Sequence, residues 1–254
     1  MITKVKMTII GGVDKDGREE NIRKVDIEGG EIIGIVGPTG SGKSTLISDI
    51  EQLSQADTPS GRKILINGAV PDTAMRSDPR RKPVAELSQG MRFLADMHVG
   101  EFLRMHAKSR GKNTDMASET VSLGNTLCGE AIHEDDHLTT LSGGQARALM
   151  TADIALISDS PIVLIDEIEN AGIKKQEALR LLSGEGKIVV VVTHAPLLAL
   201  LTSRRLVMKN GGMSQLIHRS DREKAMCARL AEIDDMLLIM REDIRNGRTV
   251  EVPF

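Results

Sequence analysis

Three short stretches carry residue types and spacings suited to phosphate chemistry. The first is GIVGPTGSGKST, Gly34 to Thr45, in which Gly37, Gly42, Lys43 and Ser44 fit G-x-x-x-x-G-K-[ST] between an apolar run and a helical one. Glycines let backbone amides converge on phosphate oxygens, and a helix start adds the positive end of its dipole. The expected cradle runs through Gly37, Pro38, Thr39, Gly40, Ser41, Gly42, Lys43, Ser44 and Thr45. Lys43 supplies a cation for β- and γ-phosphates, and the Ser44 hydroxyl is placed for Mg²⁺. The second stretch is PIVLIDE, an apolar run ending in Asp166 and Glu167. Asp166 is expected to hold Mg²⁺ through water, and Glu167 to orient and polarise an attacking water. Strands often end in surface acids, so this pair gains its meaning from the phosphate loop upstream. The third is LSGGQ, Leu141 to Gln145. Ser142 sits at an N-cap-like position, and Gly143 and Gly144 leave the first helical amides uncovered, a second anion-seeking helix start.

These stretches need a frame to position them. The runs EIIGIVG near 31, PIVLID near 161 and KIVVVVT near 187 are rich in Ile and Val and are separated by helical stretches. That pattern predicts buried parallel strands in an α/β core. KVKMTII and GRKILINGA read as antiparallel strands beside it. The span from about 91 to 157 shows no strand pattern and is expected to be an inserted helical subdomain. A final helix is expected between Ser220, which forms a capping-box pattern with Glu223, and Gly247. Along it Met226, Leu230, Ile233, Leu237, Met240 and Ile244 recur at steps of four and three, with Met236, Leu238 and Ile239 broadening the stripe. Such a helix either folds back on its own domain or joins another chain.

Composition narrows the functional classes. The 254 residues suit one large domain or two intimate lobes. There are three Phe and no Tyr or Trp, so the core must be Leu, Ile, Val, Ala and Met. Few aromatics and a net charge of −3 argue against a single-strand or basic-field nucleic-acid binder. The basic cluster RSDPRRKP, Arg76 to Pro83, is short and reads as a solvated loop. Cys128 and Cys227 are the only cysteines, too few for a disulfide framework or a Cys-rich metal site. They read as reduced thiols of a cytoplasmic protein. No apolar run reaches membrane-spanning length, so any membrane role requires a partner. HEDDH, His133 to His137, matches H-E-x-x-H, but three acids between the histidines leave no apolar side to dock a zinc helix.

With LSGGQ downstream of the phosphate loop, the chain resembles the ATP-binding cassette (ABC) ATPases. The resemblance covers residues 1 to about 213 and implies that family's fold: a P-loop NTPase core with a mostly parallel sheet, an antiparallel β subdomain and an inserted helical subdomain. The expected division is a cassette at 1–215, with the insertion at about 91–157, and a helical extension at 216–254. Gln89 in ELSQGM matches the glutamine that contacts Mg²⁺ and links to the helical subdomain. His194 in VVVVTHAP matches the switch histidine that contacts the γ-phosphate. Ser142, Gly143, Gly144 and Gln145 match the signature that faces the phosphate loop of a second cassette. One copy of each motif implies that two chains meet head to tail around two Mg-ATP.

The sequence departs from the family pattern in two places. Ile168 stands where the acidic pair is usually followed by proline, and Ile173 where the next loop usually ends in aspartate. Glu169 and Asn170 are the polar residues left there. No aromatic precedes the phosphate loop to stack on adenine, which leaves Ile9, Ile10 or Val13 to pack on the base. By resemblance the chain is the ATPase subunit of a membrane transporter, peripheral to the inner face of the membrane through a permease. The departures keep a second expectation open, a soluble ATPase assisting assembly or activation of a metalloenzyme complex.

Overall fold

The computed structural model describes residues 5–88, 90–166 and 173–250. The first half holds β1 (Lys6–Ile10), β2 (Lys24–Glu28), β3 (Ile32–Val36), α1 (Lys43–Glu51), β4 (Lys63–Ile66), α2 (Thr73–Ser77) and β5 (Val84–Ser88). Three helices follow, α3 (Val99–Ser109), α4 (Met116–Leu127) and α5 (Gly143–Leu156). The rest alternates: β6 (Ile162–Asp166), α6 (Lys175–Gly184), β7 (Ile188–Val192), α7 (Pro196–Leu201), β8 (Arg204–Lys209), β9 (Gly212–His218) and the long α8 (Asp221–Arg245).

The unbroken Ile/Val runs become strands buried on both faces. In β6, Val163 and Ile165 point into a core shared with α3 to α6, while Ile162 and Leu164 point into a second core. That second core is filled by α1 and by the antiparallel sheet β2-β1-β4. β7 alternates in the same way, with every residue buried. The main sheet has the order β5-β6-β7-β3-β8-β9, parallel except for the β8–β9 hairpin. KVKMTII and GRKILINGA supply β1 and β4, which pair antiparallel as expected, and β2 joins them.

Helical periodicity explains the helices between β5 and β6. Val99, Leu103 and Ala107 recur every four residues and are buried, which seats α3 on the core. α5 begins at a complete capping box: Gln145 N donates to Ser142 Oγ at 3.3 Å, and Ser142 N donates to Gln145 Oε1 at 2.9 Å. HEDDH is a turn rather than a helix. His133 N donates to Asp136 Oδ2, Glu134 pairs with Arg104, and the His137 ring lies 4.2 Å from that of His98. In the basic cluster, Arg76 pairs with Asp57, Arg80 with Asp78 and Lys82 with Glu51, so its charge is largely neutralised locally.

The C-terminal helix is capped as its sequence indicates, by Ser220 with Glu223 and by Gly247 at φ +66°. Its docking is different from a simple burial of the apolar seam. Among the described residues of the helix Cys227 is the buried one, and ion pairs Arg205–Glu223 at 2.5 Å and Lys175–Asp234 at 3.6 Å hold that side to the cassette. Met226, Ile233, Met236, Leu237, Ile239 and Ile244 remain exposed. The sheet runs through β9 to His218, so the boundary expected at 215 falls within a strand.

Candidate functional site

The parallel registers bring the candidate residues to one edge of the sheet. Ser88 at the end of β5 pairs with Asp166 at the end of β6, and Asp166 pairs with Val192 at the end of β7. Val192 also pairs with Ile35, one residue before the end of β3. The chain therefore leaves four neighbouring strands at the same edge, the usual location of ligands in open α/β sheets. After β3 comes the loop Gly37–Gly42, after β6 the acid Asp166 at the strand's last position, and after β7 the exposed His194. Gln89 and Glu167 follow β5 and β6 directly and lie outside the described residues, as do Ile168, Glu169 and Asn170.

The loop itself has the form a phosphate cradle needs. Gly37 takes φ +151°, and a Cβ there would lie 2.5 Å from the Met208 carbonyl oxygen. Gly42 takes φ +97°, and a Cβ there would lie 2.7 Å from the Gly211 Cα. Both positions therefore admit only glycine. Gly42 caps α1 without a side-chain hydrogen bond, so no side chain covers the helix start from that position. Thr39 and Gly40 are exposed on the rim, and Ser44 and Thr45 continue into α1. Lys43 is buried and donates through Nζ to Gly37 O at 2.9 Å and Pro38 O at 3.1 Å. Its ammonium thus lies folded over the mouth of the loop. The Ser41 hydroxyl is buried and finds no partner among the described residues.

At the signature, Ser142 does more than cap. Its hydroxyl accepts from Gln145 N and donates to a Glu130 carboxylate oxygen at 2.9 Å, while Gln145 Nε2 donates to Ala131 O at 2.7 Å. The exposed Gly143 begins α5, its carbonyl accepting from Arg147 at 2.9 Å, and the half-buried Gly144 continues the helix. Glu130 is absent from the sequence-based set because nothing in its spacing marks it. Close by, burial pushes the Cys128 thiol up, and its Sγ donates to Glu130 O at 3.1 Å.

Several sequence expectations change here. Ile173, at the position where the resemblance led to an expectation of aspartate, is buried in the helical-side core and bridges to Cys128. It is a packing residue. Ile9 is 1% exposed and packs inward from β1, so it cannot meet a base. Val13, bridged to Glu19, is half-buried.

Sequence reasoning also missed the support behind the loop. Arg62 is fully buried and pairs with Glu20 at 2.5 Å and with Asp49 of α1 at 2.8 Å. Arg62 also donates to Gly211 O at 2.6 Å, and Glu20 accepts from Met213 N at 2.7 Å. A buried charge of this kind stays only where partners satisfy it on every side. This cluster ties the phosphate-loop helix to the β8–β9 turn.

Comparison with known proteins identifies relatives of the chain and of its fold. Residues 21–170 match the family described as ABC transporter. An uncharacterized ABC transporter ATP-binding protein of Methanocaldococcus jannaschii is 60% identical over 243 residues, covering 95% of this chain and 93% of that protein. The macrolide export ATP-binding/permease protein MacB of Campylobacter jejuni is 30% identical over 213 residues, or 79% of this chain. The match spans 32% of MacB, about a third of its length. Among solved structures, CbiO1 of Clostridium perfringens, part of the ABC transporter complex CbiONQ, superposes with a TM-score of 0.64. It covers 94% of this chain and 96% of its own, and at 19% identity it speaks to the fold alone.

Proposed function

This chain belongs to the ABC transporter family and is an ATP-binding, ATP-hydrolysing ATPase, and we propose that it works as one of two identical cassettes driving a membrane permease. The observation that carries this reading is the convergence of the β3, β5, β6 and β7 ends on one sheet edge. On this reading the amides from Gly37 to Thr45 and the Lys43 ammonium hold the triphosphate. Lys43 exchanges its two loop carbonyls for phosphate oxygens when nucleotide enters. Glu167 serves as general base, His194 contacts the γ-phosphate, and Gln89 relays occupancy to the helices that follow. The donor set for a metal is Ser44, Gln89 and Asp166, oxygen ligands only, which suits Mg²⁺ completed by phosphate and water. Bound Mg²⁺ would neutralise charge on the transferring phosphoryl group.

A cassette needs a surface through which to push. Phe93 and Phe102 stack edge to face at 5.2 Å beside the start of α3, and next to Phe93 the Leu94 side chain is 94% exposed. Met91 and Met105 are exposed on the same stretch. Apolar side chains held out to solvent directly after Gln89 suit a docking surface for a partner's helix. No helix among the described residues is long and apolar enough to cross a membrane. In MacB, the printed name joins an ATP-binding and a permease function in one protein. The test is affinity purification of the chain from detergent-solubilised native membranes. A multi-span protein should co-purify with wild type and be lost with Leu94→Arg, while basal ATPase activity stays unchanged. Recovery of a soluble metalloenzyme complex instead would replace the transport reading with assembly.

The exposed seam of α8 suits contact between two copies. The side carrying Cys227 and Asp234 is already held to the cassette, which leaves Met226, Ile233, Leu237 and Ile244 outward. Sedimentation without nucleotide should show a dimer for the full chain and a monomer after deletion of residues 219–254. Unchanged association after deletion would remove α8 from the interface.

A further inference from the structure

We propose that Lys15 is a positioning residue of the nucleotide site: it orients the phosphate loop from outside by holding the Gly40 carbonyl. The inference rests on the reading of Gly37–Thr45 as a polyphosphate cradle. Lys15 lies in an exposed turn between β1 and β2 and donates through Nζ to Gly40 O at 2.7 Å. In a trans peptide the carbonyl and the following N–H point in opposite directions. Pulling the Gly40 carbonyl outward therefore turns the Ser41 N–H toward the inside of the loop, where it meets Pro38 O at 3.2 Å. The next peptide is treated identically by a different group. Gly211 N donates to Ser41 O at 2.8 Å from outside, which directs the Gly42 N–H inward. Two consecutive amides at the crest are thus aimed by two external donors.

The donors are themselves fixed. Lys15 N donates to Asn210 O at 2.9 Å, and the side chain of Lys15 packs so closely on Gly211 that a Cβ there would lie 2.7 Å from its Cγ. Asn210 and Gly211 both adopt positive φ, at 51° and 86°, forming the tight β8–β9 turn. The Asn210 amide reaches Asp16 at 3.0 Å and Asp14 at 3.3 Å, and Gly211 O accepts from buried Arg62 at 2.6 Å. Gly40 and Gly42 supply the conformational freedom, at φ +75° and +97°, and this bracing removes it. Preorganised donors bind an anion without a reorganisation cost at the moment of binding.

Because Lys15 acts on the loop backbone, its loss should weaken every polyphosphate alike. The experiment uses the full chain with Lys15→Met and Lys15→Arg. It measures KM and kcat for Mg-ATP and Mg-GTP, and competition by inorganic tripolyphosphate against a fluorescent ATP analogue. Lys15→Met should raise KM for both nucleotides by the same factor, about fivefold, the loss expected for one such hydrogen bond. The tripolyphosphate competition constant should rise equally, kcat should stay near wild type, and Lys15→Arg should restore KM. Lys15→Ala provides the same comparison if Lys15→Met melts early. An unchanged KM, or a rise for ATP without one for GTP, overturns the proposal; the latter would make Lys15 a base-reading residue. A wild-type chain that binds neither nucleotide nor tripolyphosphate would overturn the cradle reading itself, a result separable from any effect of Lys15.

Discussion

Glu167→Gln should turn over ATP about 10²- to 10⁴-fold more slowly than wild type, the contribution expected of a positioned general base. Glutamine keeps the size and a hydrogen-bonding oxygen but cannot take a proton at neutral pH. Binding should survive, because the loop and Lys43 that hold the phosphates are untouched. Nucleotide that enters but is not cleaved should hold two cassettes together, so the variant made in the chain lacking residues 219–254 should elute as a dimer with Mg-ATP and as a monomer without it. A second acid in the neighbourhood supplies the control. Burial pushes the Glu86 carboxyl up, and the charges of Glu51 and Asp166 add to the effect. A carboxyl with a raised pKa is a candidate base on electrostatic grounds alone. Geometry argues otherwise, since Glu86 pairs with Leu164 and sits two positions before the end of β5, while Asp166 closes β6. Glu86→Gln should therefore hydrolyse ATP at close to the wild-type rate. Near-normal turnover by Glu167→Gln, measured as phosphate release, would end its assignment as the base.

The parts of this site that were legible in the sequence are those encoded by local physics. A left-handed glycine between a β-branched run and a helix, a serine cap followed by Gln145, and acids at the end of an apolar strand each act within a few residues. Their placement follows from strand register, which the Ile/Val runs impose because both faces of β6 and β7 must be buried. What sequence could not reveal is the scaffold behind the loop. Arg62 and Gly211 are 149 positions apart, and Lys15 and Gly40 are 25 apart. With 33 Lys and Arg and 36 Asp and Glu, the sequence carries no mark of which few charges become buried. β5 is obscure for another reason: VAELS is broken by Glu86 and Ser88, lies at the sheet edge and lacks the apolar run that marks β3, β6 and β7. On α8 the periodicity was visible, but the docked side was selected by Glu223 and Asp234 through ion pairs that hydrophobic patterning does not register.

Ser142→Arg tests whether the second glycine-rich helix start faces another chain. Within one chain, Ser142 caps α5 and donates to Glu130, and nothing among its described contacts involves the phosphate loop. If each cassette worked alone, the substitution would cost only the cap, about 1 kcal/mol of stability. In a head-to-tail pair the arginine would fill the space that the partner's γ-phosphate must enter. Turnover should then fall by roughly a hundredfold, comparable to the loss of an oxyanion-type donor. Ser142→Ala separates the two effects, since it removes the cap without adding bulk and should keep most of the activity. Mixing Ser142→Arg with Lys43→Ala sharpens the test. In the mixed dimer both lesions fall on one composite site, leaving the other composed of an intact loop and an intact signature. Random pairing makes half the dimers mixed, so recovery should not exceed roughly a quarter of the wild-type rate. Recovery near that ceiling means the two sites fire independently, and no recovery means that each needs the other, a distinction that matters here because Ile173, where the resemblance implied an aspartate, is buried. Wild-type turnover by Ser142→Arg alone would dismiss the head-to-tail arrangement.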